Sequence, residues 1–331
     1  MSTAARRIIV EQTGGPEVMR LVEVELPEPG PGQVRLRHAA VGINLADTYF
    51  RSGLYPGRTP FGLGVEGAGV IEAVGPDVTG FVPGQRVTYT SSPLGAYSDV
   101  RNMPTDSLIP LPDSVPFDTA AASTMRGLTS SYLLNSIWPL SAGDTVMIHA
   151  AAGGVGLIFC QMAKSMGLEV IGTVGNAEKA ALARDAGCDH VIVNRTEDVA
   201  ARVREITGGK GARMVVDGVG RATFDSSLKS VARRGLLVCL GTASGPVDPF
   251  TPPQLMAQGS VYVTRPAMAD YIADPAEKAR LVDFLLGHLS AGTVKVSINQ
   301  RWRLDQAVEA HIALESGATS GSSIFEFDTA D

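Results

Sequence analysis

Cysteine is scarce in this sequence. Only three cysteines occur in 331 residues, Cys160, Cys188 and Cys239, and no two of them form a CxxC pair. This spacing supports neither a disulfide framework nor a four-cysteine zinc lobe. We therefore expect a protein of a reducing, cytoplasmic compartment.

The sequence also lacks paired histidines, a basic excess and long apolar runs. The five histidines are isolated, and His149 at the end of an apolar run is expected to be a core residue. Lys and Arg (28) are outnumbered by Asp and Glu (34), which argues against a nucleic-acid binder. No apolar run reaches the roughly 18 residues of a membrane helix, and residues 1–10 do not resemble a signal peptide.

The first zone of the chain, residues 1 to about 115, contains short runs typical of β-strands. Runs at 33–37, 69–74 and 85–89 are separated by turns rich in Gly and Pro. Regularly spaced short strands predict a compact β-barrel or sandwich.

From about residue 126, apolar runs alternate with helical stretches. Six candidate strands are 145–149, 169–174, 190–193, 213–217, 236–240 and 261–264. The first intervening helix places Val155, Ile158, Phe159 and Met162 on one face, and Gly167 ends it. This alternation predicts an α/β fold with a doubly wound parallel sheet.

The tail after about residue 270 is too short for a separate domain. It predicts helices at 275–289 and 304–316 and a strand at 323–327. We expect it to pack on the first zone, which makes the α/β unit an insertion.

A glycine-rich turn follows the first α/β strand. It reads Ala151-Ala152-Gly153-Gly154-Val155-Gly156 and fits the pattern G-x-G-x-x-G with alanine in first place. In such turns the second glycine lets the backbone approach a pyrophosphate, and the third lets helix and strand pack closely. The helix N-terminus then faces the phosphates. We expect a nicotinamide dinucleotide here, and the cofactor supplies metal-free hydride chemistry.

The end of the second α/β strand bears on the choice of dinucleotide. NAD enzymes usually carry an acidic residue there, but no carboxylate occurs before Glu178. Lys179 follows directly, and Arg195 comes after the third strand. This pattern favours the 2′-phosphate of NADPH, while NADH remains the alternative.

Blocks along nearly the whole chain resemble the zeta-crystallin-like quinone oxidoreductases, the zinc-free branch of the medium-chain dehydrogenases/reductases. These blocks include 14–18, 42–44, 51–56, 64–69, 94–97, 143–156 and 262–266. The resemblance implies a GroES-like catalytic domain (1–125 and 267–331) with an inserted Rossmann domain (126–266). Zinc-dependent relatives carry Cys and His where Asn44 and Val65 stand, so no metal site is expected.

The resemblance also implies roles for individual residues. At the nicotinamide and substrate end it places Asn44, Asp47, Tyr49 and Tyr55. As cofactor contacts it implies Thr129, Tyr132, Gly153, Gly154, Val155, Gly175, Lys179, Asn194, Val219, Gly241, Thr242, Ser244 and Pro266. Asn194 and Gly317 stand where relatives often have Tyr and Arg, changes that weaken 2′-phosphate binding unless Arg195 compensates. Family homodimers often pair the last Rossmann strands, here 261–264, edge to edge.

The expected function is NADPH-dependent reduction of quinones. None of the implied site residues stands out as an obligatory proton donor, and water can protonate the product. Reduction of the C=C bond of an enal or enone on the same scaffold is an alternative. The non-enzymatic alternative is an RNA-binding or structural protein that keeps the fold and the cofactor, as some zeta-crystallin-like proteins do. The acidic balance argues against binding of nucleic acid.

Overall fold

A computed structural model describes residues 2–91 and 93–327. The strands are β1 (Thr3–Val10), β2 (Met19–Leu26), β3 (Gln33–Ile43), β4 (Phe61–Gly62), β5 (Glu66–Val74), β6 (Arg86–Thr90), β7 (Val100–Pro104), β8 (Leu108–Pro110), β9 (Thr145–Ile148), β10 (Glu169–Val174), β11 (His190–Val193), β12 (Ala212–Asp217), β13 (Val231–Cys239), β14 (Tyr262–Thr264), β15 (Ile298–Trp302) and β16 (Ser322–Glu326). The helices are α1 (Leu45–Ser52), α2 (Phe117–Asn135), α3 (Gly154–Ser165), α4 (Ala177–Asp185), α5 (Val199–Ile206), α6 (Phe224–Ser230), α7 (Pro252–Ala257), α8 (Met268–Tyr271), α9 (Pro275–Ser290) and α10 (Ala307–Glu315). The chain divides into two compact units.

The first unit contains the chain up to Arg126 and from Val296 onward. Its main sheet has the order β15-β16-β3-β5-β6-β8, with β7 also paired to β3, and a smaller sheet has the order β2-β1-β4. The long strand β3 bends at two register shifts and pairs with β16 from the tail. Leu36, Val41, Ile71 and Phe325 are fully buried between these elements. The tail from Val296 onward therefore completes the β-rich unit through the pairing of β16 with β3.

The second unit, Gly127–Lys295, is built on a six-stranded parallel sheet. Its strand order is β11-β10-β9-β12-β13-β14. This is the doubly wound order of dinucleotide-binding folds, in which the chain reverses direction of winding between β9 and β12. All six predicted strands are present, and the predicted fold class is confirmed.

The segment 267–295 groups with the parallel sheet and not with the catalytic domain, to which the family resemblance assigns it. Two contacts explain the difference. Tyr271 stacks on Tyr132 with ring centroids 4.4 Å apart. Lys295 N donates to Gln161 Oε1 at 2.8 Å, and Gln161 Nε2 donates to Lys295 O at 3.0 Å. An amphipathic helix pattern shows that α9 has a core face, but it does not indicate which core that face joins.

Among the described residues, no helix combines the length and apolar character required to cross a membrane.

Candidate active site

The glycine-rich turn joins β9 to α3. The left-handed backbone conformation falls on Ala150 (φ 53°), so Ala151 tolerates its side chain at the first place of the fingerprint. Gly153 is the N-cap of α3, and no side chain caps that helix end. A Cβ on Gly156 would lie 2.5 Å from Ala150 O and 2.6 Å from Ala151 Cα. Only glycine permits this approach of helix to strand, and the uncapped first turn offers N–H groups to an anion.

Most predicted cofactor contacts follow the carboxyl ends of the parallel strands. In chain order these are Gly153, Gly154 and Val155 after β9, Gly175 and Lys179 after β10, Asn194 after β11, Val219 after β12, Gly241, Thr242 and Ser244 after β13, and Pro266 after β14. Because the strands are parallel, these residues share one edge of the sheet. We name this edge of the sheet, with the residues that lie on it, the carboxyl edge.

Thr129 and Tyr132 differ from the others because they lie on α2, before the sheet begins. Both side chains are buried. Tyr132 packs within the second unit through its stacking on Tyr271. The fold thus places these two residues on a helix and not at a strand end.

Asp217, at the end of β12, organises two of the edge loops. One of its carboxylate oxygens, Oδ1, accepts hydrogen bonds from Val219 N at 2.9 Å and Gly220 N at 3.0 Å. The loop that follows β13 is held to this one by Ser244, whose N and Oγ both donate to Val219 O at 2.8 Å. Thr242 Oγ1 is buried without a hydrogen-bond partner among the described residues. An orphaned hydroxyl in a preformed loop suits a polar ligand atom.

His149 is a core residue, as the sequence analysis expects. Ser227 Oγ donates to Asp217 Oδ2 at 2.6 Å, so His149 Nε2 must donate to Ser227 Oγ at 2.8 Å. The other ring nitrogen accepts from Thr173 Oγ1 at 2.9 Å. Burial lowers the pKa of His149 and keeps the ring neutral. Through Ser227, the neutral histidine therefore helps to hold the Asp217 carboxylate in place.

Two cations lie after neighbouring strands, Lys179 after β10 and Arg195 after β11, and no acidic side chain lies between the end of β10 and Glu178. Gly175 lies near the Arg195 guanidinium, whose Nε would be 3.8 Å from a Cβ at Gly175. Asn176 caps α4 by accepting from Lys179 N at 2.8 Å, which fixes Lys179 in the first helical turn. Asn194 is exposed, and its backbone N–H donates to Val174 O at 3.0 Å. These positions suit a phosphate group better than a ribose hydroxyl.

In the first unit, Asn44 begins helix α1 and contacts a buried carboxylate. Asn44 Nδ2 donates to Glu66 Oε1 at 2.7 Å. Arg126 Nη1 also donates to Glu66 Oε1, at 3.1 Å, and Met125 N donates to Oε2 at 2.6 Å. Burial raises the pKa of Glu66, while Arg126 and these donors oppose the rise. Asn44 is thereby locked in one orientation.

Asp47 lies in the first turn of α1 and is completely buried. Its Oδ2 accepts from Asn44 N at 2.7 Å and from Tyr97 Oη at 2.9 Å. Its Oδ1 has no hydrogen-bond partner among the described residues. Desolvation raises the pKa of Asp47 to about 7. The carboxyl group is therefore positioned to take up and release a proton at neutral pH.

A chain of buried side chains orients the Tyr97 hydroxyl. Because Tyr97 donates to Asp47, its oxygen accepts from His311 Nε2 at 3.0 Å. His311 Nδ1 in turn accepts from Arg51 Nη1 at 2.9 Å, and Glu315 holds Arg51 through two further bonds of 2.7 and 3.0 Å. Burial and the Arg51 charge lower the pKa of His311 to about 3, so the ring stays neutral.

Tyr49 and Tyr55 form an edge-to-face pair with ring centroids 5.2 Å apart. Tyr55 N donates to Tyr49 O at 2.9 Å, and both side chains are half-buried. Within the first unit, Tyr49 and Asp47 lie on one helix, and the capping contact joins Asp47 to Asn44.

No group of three or more His, Cys, Asp or Glu side chains suited to a metal ion occurs within residues 2–91 and 93–327. At the position of one zinc ligand of the relatives, Asn44 uses its amide to bind Glu66. At the other position, Val65 offers only a buried aliphatic side chain.

Sequence reasoning missed several residues that shape the site. They are Arg51, Glu66, Tyr97, Arg126, Asp217 and His311. Tyr97 lies in a block that carries the family resemblance, and Asp217 ends an apolar run, so weak signals existed for both. No local pattern links Arg51 to His311, because 260 positions separate them.

Comparison with protein families gives two separate matches. Residues 30–113 match the alcohol dehydrogenase GroES-like domain, and residues 154–285 match the zinc-binding dehydrogenase domain.

Individual relatives extend over nearly the full chain. The chain is 47% identical to the quinone oxidoreductase of Pseudomonas aeruginosa, over 97% of its own length and 99% of that protein. It is 41% identical to the 2-haloacrylate reductase of a Burkholderia species, over 95% and 96% of the two chains. The crystal structure of Escherichia coli quinone oxidoreductase complexed with NADPH superimposes with a TM-score of 0.95 at 44% identity, covering 97% of this chain and all of the other.

Proposed function

Because the chain belongs to the quinone oxidoreductase family of the medium-chain dehydrogenases/reductases, we propose that it reduces quinones with NADPH. The observation that carries the proposal is the carboxyl edge, where a glycine cradle, an orphaned hydroxyl and two cations meet at the ends of parallel strands. Relatives whose solved structures contain NADPH share 43–44% of their residues with this chain.

NADPH fits the residues of this edge. The first turn of α3 would hold the pyrophosphate. Gly153 places no side chain at this helix end, and Gly156 lets the helix pack closely on the turn. Thr242 Oγ1 would gain the hydrogen bond that it lacks. Lys179 and Arg195 would pair with the 2′-phosphate, which NADH does not carry. Bound NADPH supplies a hydride.

The Asn44–Asp47 turn is proposed to serve the acceptor. Reduction of a quinone consumes one hydride and one proton. Asp47 can hold that proton on Oδ1, since Oδ2 is already occupied by Asn44 N and Tyr97 Oη. Asn44, fixed by Glu66, would orient the acceptor, and Tyr49 and Tyr55 would present aromatic surface to it.

The proposed reaction uses no metal. The support is chemical: an amide engaged with Glu66 and a valine are poor replacements for the thiolate and imidazole that bind zinc.

Steady-state oxidation of NADPH in the presence of 1,4-benzoquinone tests this function. The proposal expects saturable turnover that depends on the protein, with NADH used less efficiently. Failure to oxidise NADPH with any quinone, in protein that binds NADPH, would contradict it.

Reduction of a polarised C=C bond is a second candidate. The similarity to a 2-haloacrylate reductase favours it. Hydride addition to an enone or haloacrylate would also require a proton at the adjacent carbon, which Asp47 is equally able to supply.

The proposal includes a homodimer paired through the edge strand β14. Its support is that β14 ends the sheet with only β13 beside it, and Tyr262 is half exposed. Light scattering should give twice the chain mass of 34.6 kDa.

We also propose a reducing, cytoplasmic location, in keeping with three free, buried thiols.

A further inference from the structure

A groove opens at the amino ends of β12, β13 and β14, the edge of the sheet opposite the carboxyl edge. We name it the arginine groove. Its cavity measures about 470 Å³ and is lined by Trp138, Pro139, Arg213, Arg233, Arg234 and Tyr262, the last of which lies on β14 and would also be a partner contact in the proposed homodimer. Cavities of roughly 300–1,000 Å³ accommodate small ligands.

Three arginines face this cavity without acidic partners. Among residues 2–91 and 93–327, the guanidinium groups of Arg213, Arg233 and Arg234 form no ion pair or hydrogen bond with a side chain. Three like charges around one cavity repel each other, and the chain as a whole is acidic. The cluster is therefore a local concentration of uncompensated positive charge.

The backbone brings the arginines together through an irregularity in the sheet. Between Ala212 and Met214 on β12, the paired partner jumps from Val231 to Leu236 on β13, so four residues bulge out opposite one. Arg234 adopts a left-handed conformation (φ 57°), which is strained for a side chain of this size. Its backbone N–H is held by Gly259 O at 2.9 Å. The sheet thus sustains an unfavourable conformation at the centre of a positive cluster.

Aromatic rings complete the groove. The Arg213 guanidinium lies 5.3 Å from the centre of the Trp138 ring, and the Tyr262 ring centre is 5.0 Å from that of Trp138. Stacking on an indole preorganises a guanidinium fork for recognition of phosphate or carboxylate. Trp138 Nε1 is buried without a hydrogen-bond partner among the described residues. A donor without an acceptor beside three cations is suited to an anionic ligand.

We propose that the arginine groove binds a small polyanion carrying two or more phosphate or carboxylate groups, at a site separate from the carboxyl edge. The size of the cavity favours a compact ligand. This site is independent of the proposed reaction.

The two tryptophans of the chain allow a direct test. The variant Trp302→Phe leaves Trp138 as the sole indole. In that background, titration with tripolyphosphate at about 0.15 M salt should change the fluorescence of Trp138 saturably. Arg213→Gln should weaken the affinity at least tenfold, and so should Arg233→Gln, which alters an exposed side chain. Arg184→Gln, which removes an exposed charge from α4, is the matched control and should bind as the parent does.

Four outcomes would overturn the proposal, three that concern the site and one that concerns the size of the ligand. The first is the absence of a saturable signal, and the second is unchanged affinity in both groove variants. The third is displacement of tripolyphosphate by NADPH in simple competition, which would place the probe at the carboxyl edge. Tighter binding of a hexaglutamate peptide than of tripolyphosphate would contradict the assignment to a small ligand.

Discussion

The two buried carboxylates near Asn44 differ in what surrounds them. Glu66 has a guanidinium and two further donors, whereas Asp47 has two donors on one oxygen and none on the other. A buried carboxylate without a cation is costly when ionised, so its proton is retained to higher pH. The unsatisfied Oδ1 of Asp47 is thus an energetic cost that fits a proton-handling role.

The variant Asp47→Asn tests this role through the pH dependence of stability. In the folded protein the pKa of Asp47 is about 7, above the ordinary value of 3.8. Folding therefore binds a proton between these pH values, and the free energy of unfolding loses this contribution as pH rises through about 7. The variant should lack that loss. Denaturant unfolding at pH 5 and pH 8 should show a difference between wild type and variant that changes by a few kcal/mol.

Kinetics of the same variant give an independent readout. The profile of kcat/KM for quinone reduction should show an inflection near pH 7 in the wild type and none in Asp47→Asn. An inflection that persists unchanged in the variant would assign the titration to another group.

We also expect a single residue, Lys179, to affect the choice between NADPH and NADH. Lys179→Ala should weaken NADPH binding about tenfold, or roughly 1.4 kcal/mol, with little effect on NADH, because only NADPH carries the 2′-phosphate. Fluorescence titration with both cofactors measures this. Arg184→Ala removes an exposed charge near the other end of the same helix and should change neither affinity. Equal weakening of NADPH and NADH by Lys179→Ala would refute a 2′-phosphate contact.

At the scale of elements, the contact between the glycine-rich turn and α3 decides whether the cofactor site forms. Gly156→Ala would force a Cβ against the backbone of Ala150 and Ala151. We expect a loss of about 1–3 kcal/mol in unfolding free energy and more than tenfold weaker NADPH binding. Calorimetric unfolding and fluorescence titration measure the two effects.

The matched control is Gly287→Ala in α9. This glycine is exposed, and a Cβ there meets no atom within 4 Å. The control should retain NADPH affinity and gain roughly 0.5–1 kcal/mol, since alanine favours a helix. If Gly156→Ala behaves like the control, the close approach of helix and strand is not essential.

Predictability from the sequence differs between elements for physical reasons. The strands of the parallel sheet are covered on both faces, so they appear as apolar runs, and β10 and β11 begin and end as predicted. The start of β13 was predicted at residue 236, but it lies at Val231 because the bulge with Arg233 and Arg234 interrupts the apolar pattern. Likewise β3 continues to Ile43, beyond the predicted 33–37, since its register shifts break the alternation of side chains.

The candidate site was predictable where its residues lie close together in the sequence. The glycine-rich turn and the cations after β10 lie within about 45 residues of one another and carry a recognised spacing. The Arg51–His311–Tyr97 chain that orients Asp47 joins three distant segments, as does the arginine groove. Such contacts arise only from tertiary packing, and a single sequence contains no periodic signal for them.

At the scale of the whole molecule, the two compact units contribute different parts of the proposed reaction. The parallel sheet presents the carboxyl edge, which we propose binds the cofactor phosphates, and the β-rich unit contains a buried acid, Asp47, whose pKa is about 7. The similarities to quinone oxidoreductases and to a 2-haloacrylate reductase leave the preferred acceptor as the central question.

Direct competition between acceptors answers it. Equal concentrations of 1,4-benzoquinone and 2-chloroacrylate, mixed with limiting NADPH, report the ratio of their kcat/KM values as the ratio of products. The same mixture without the protein controls for the uncatalysed reaction. We predict that hydroquinone exceeds 2-chloropropionate by at least tenfold. A product mixture dominated by 2-chloropropionate would contradict quinone reduction as the function of this protein.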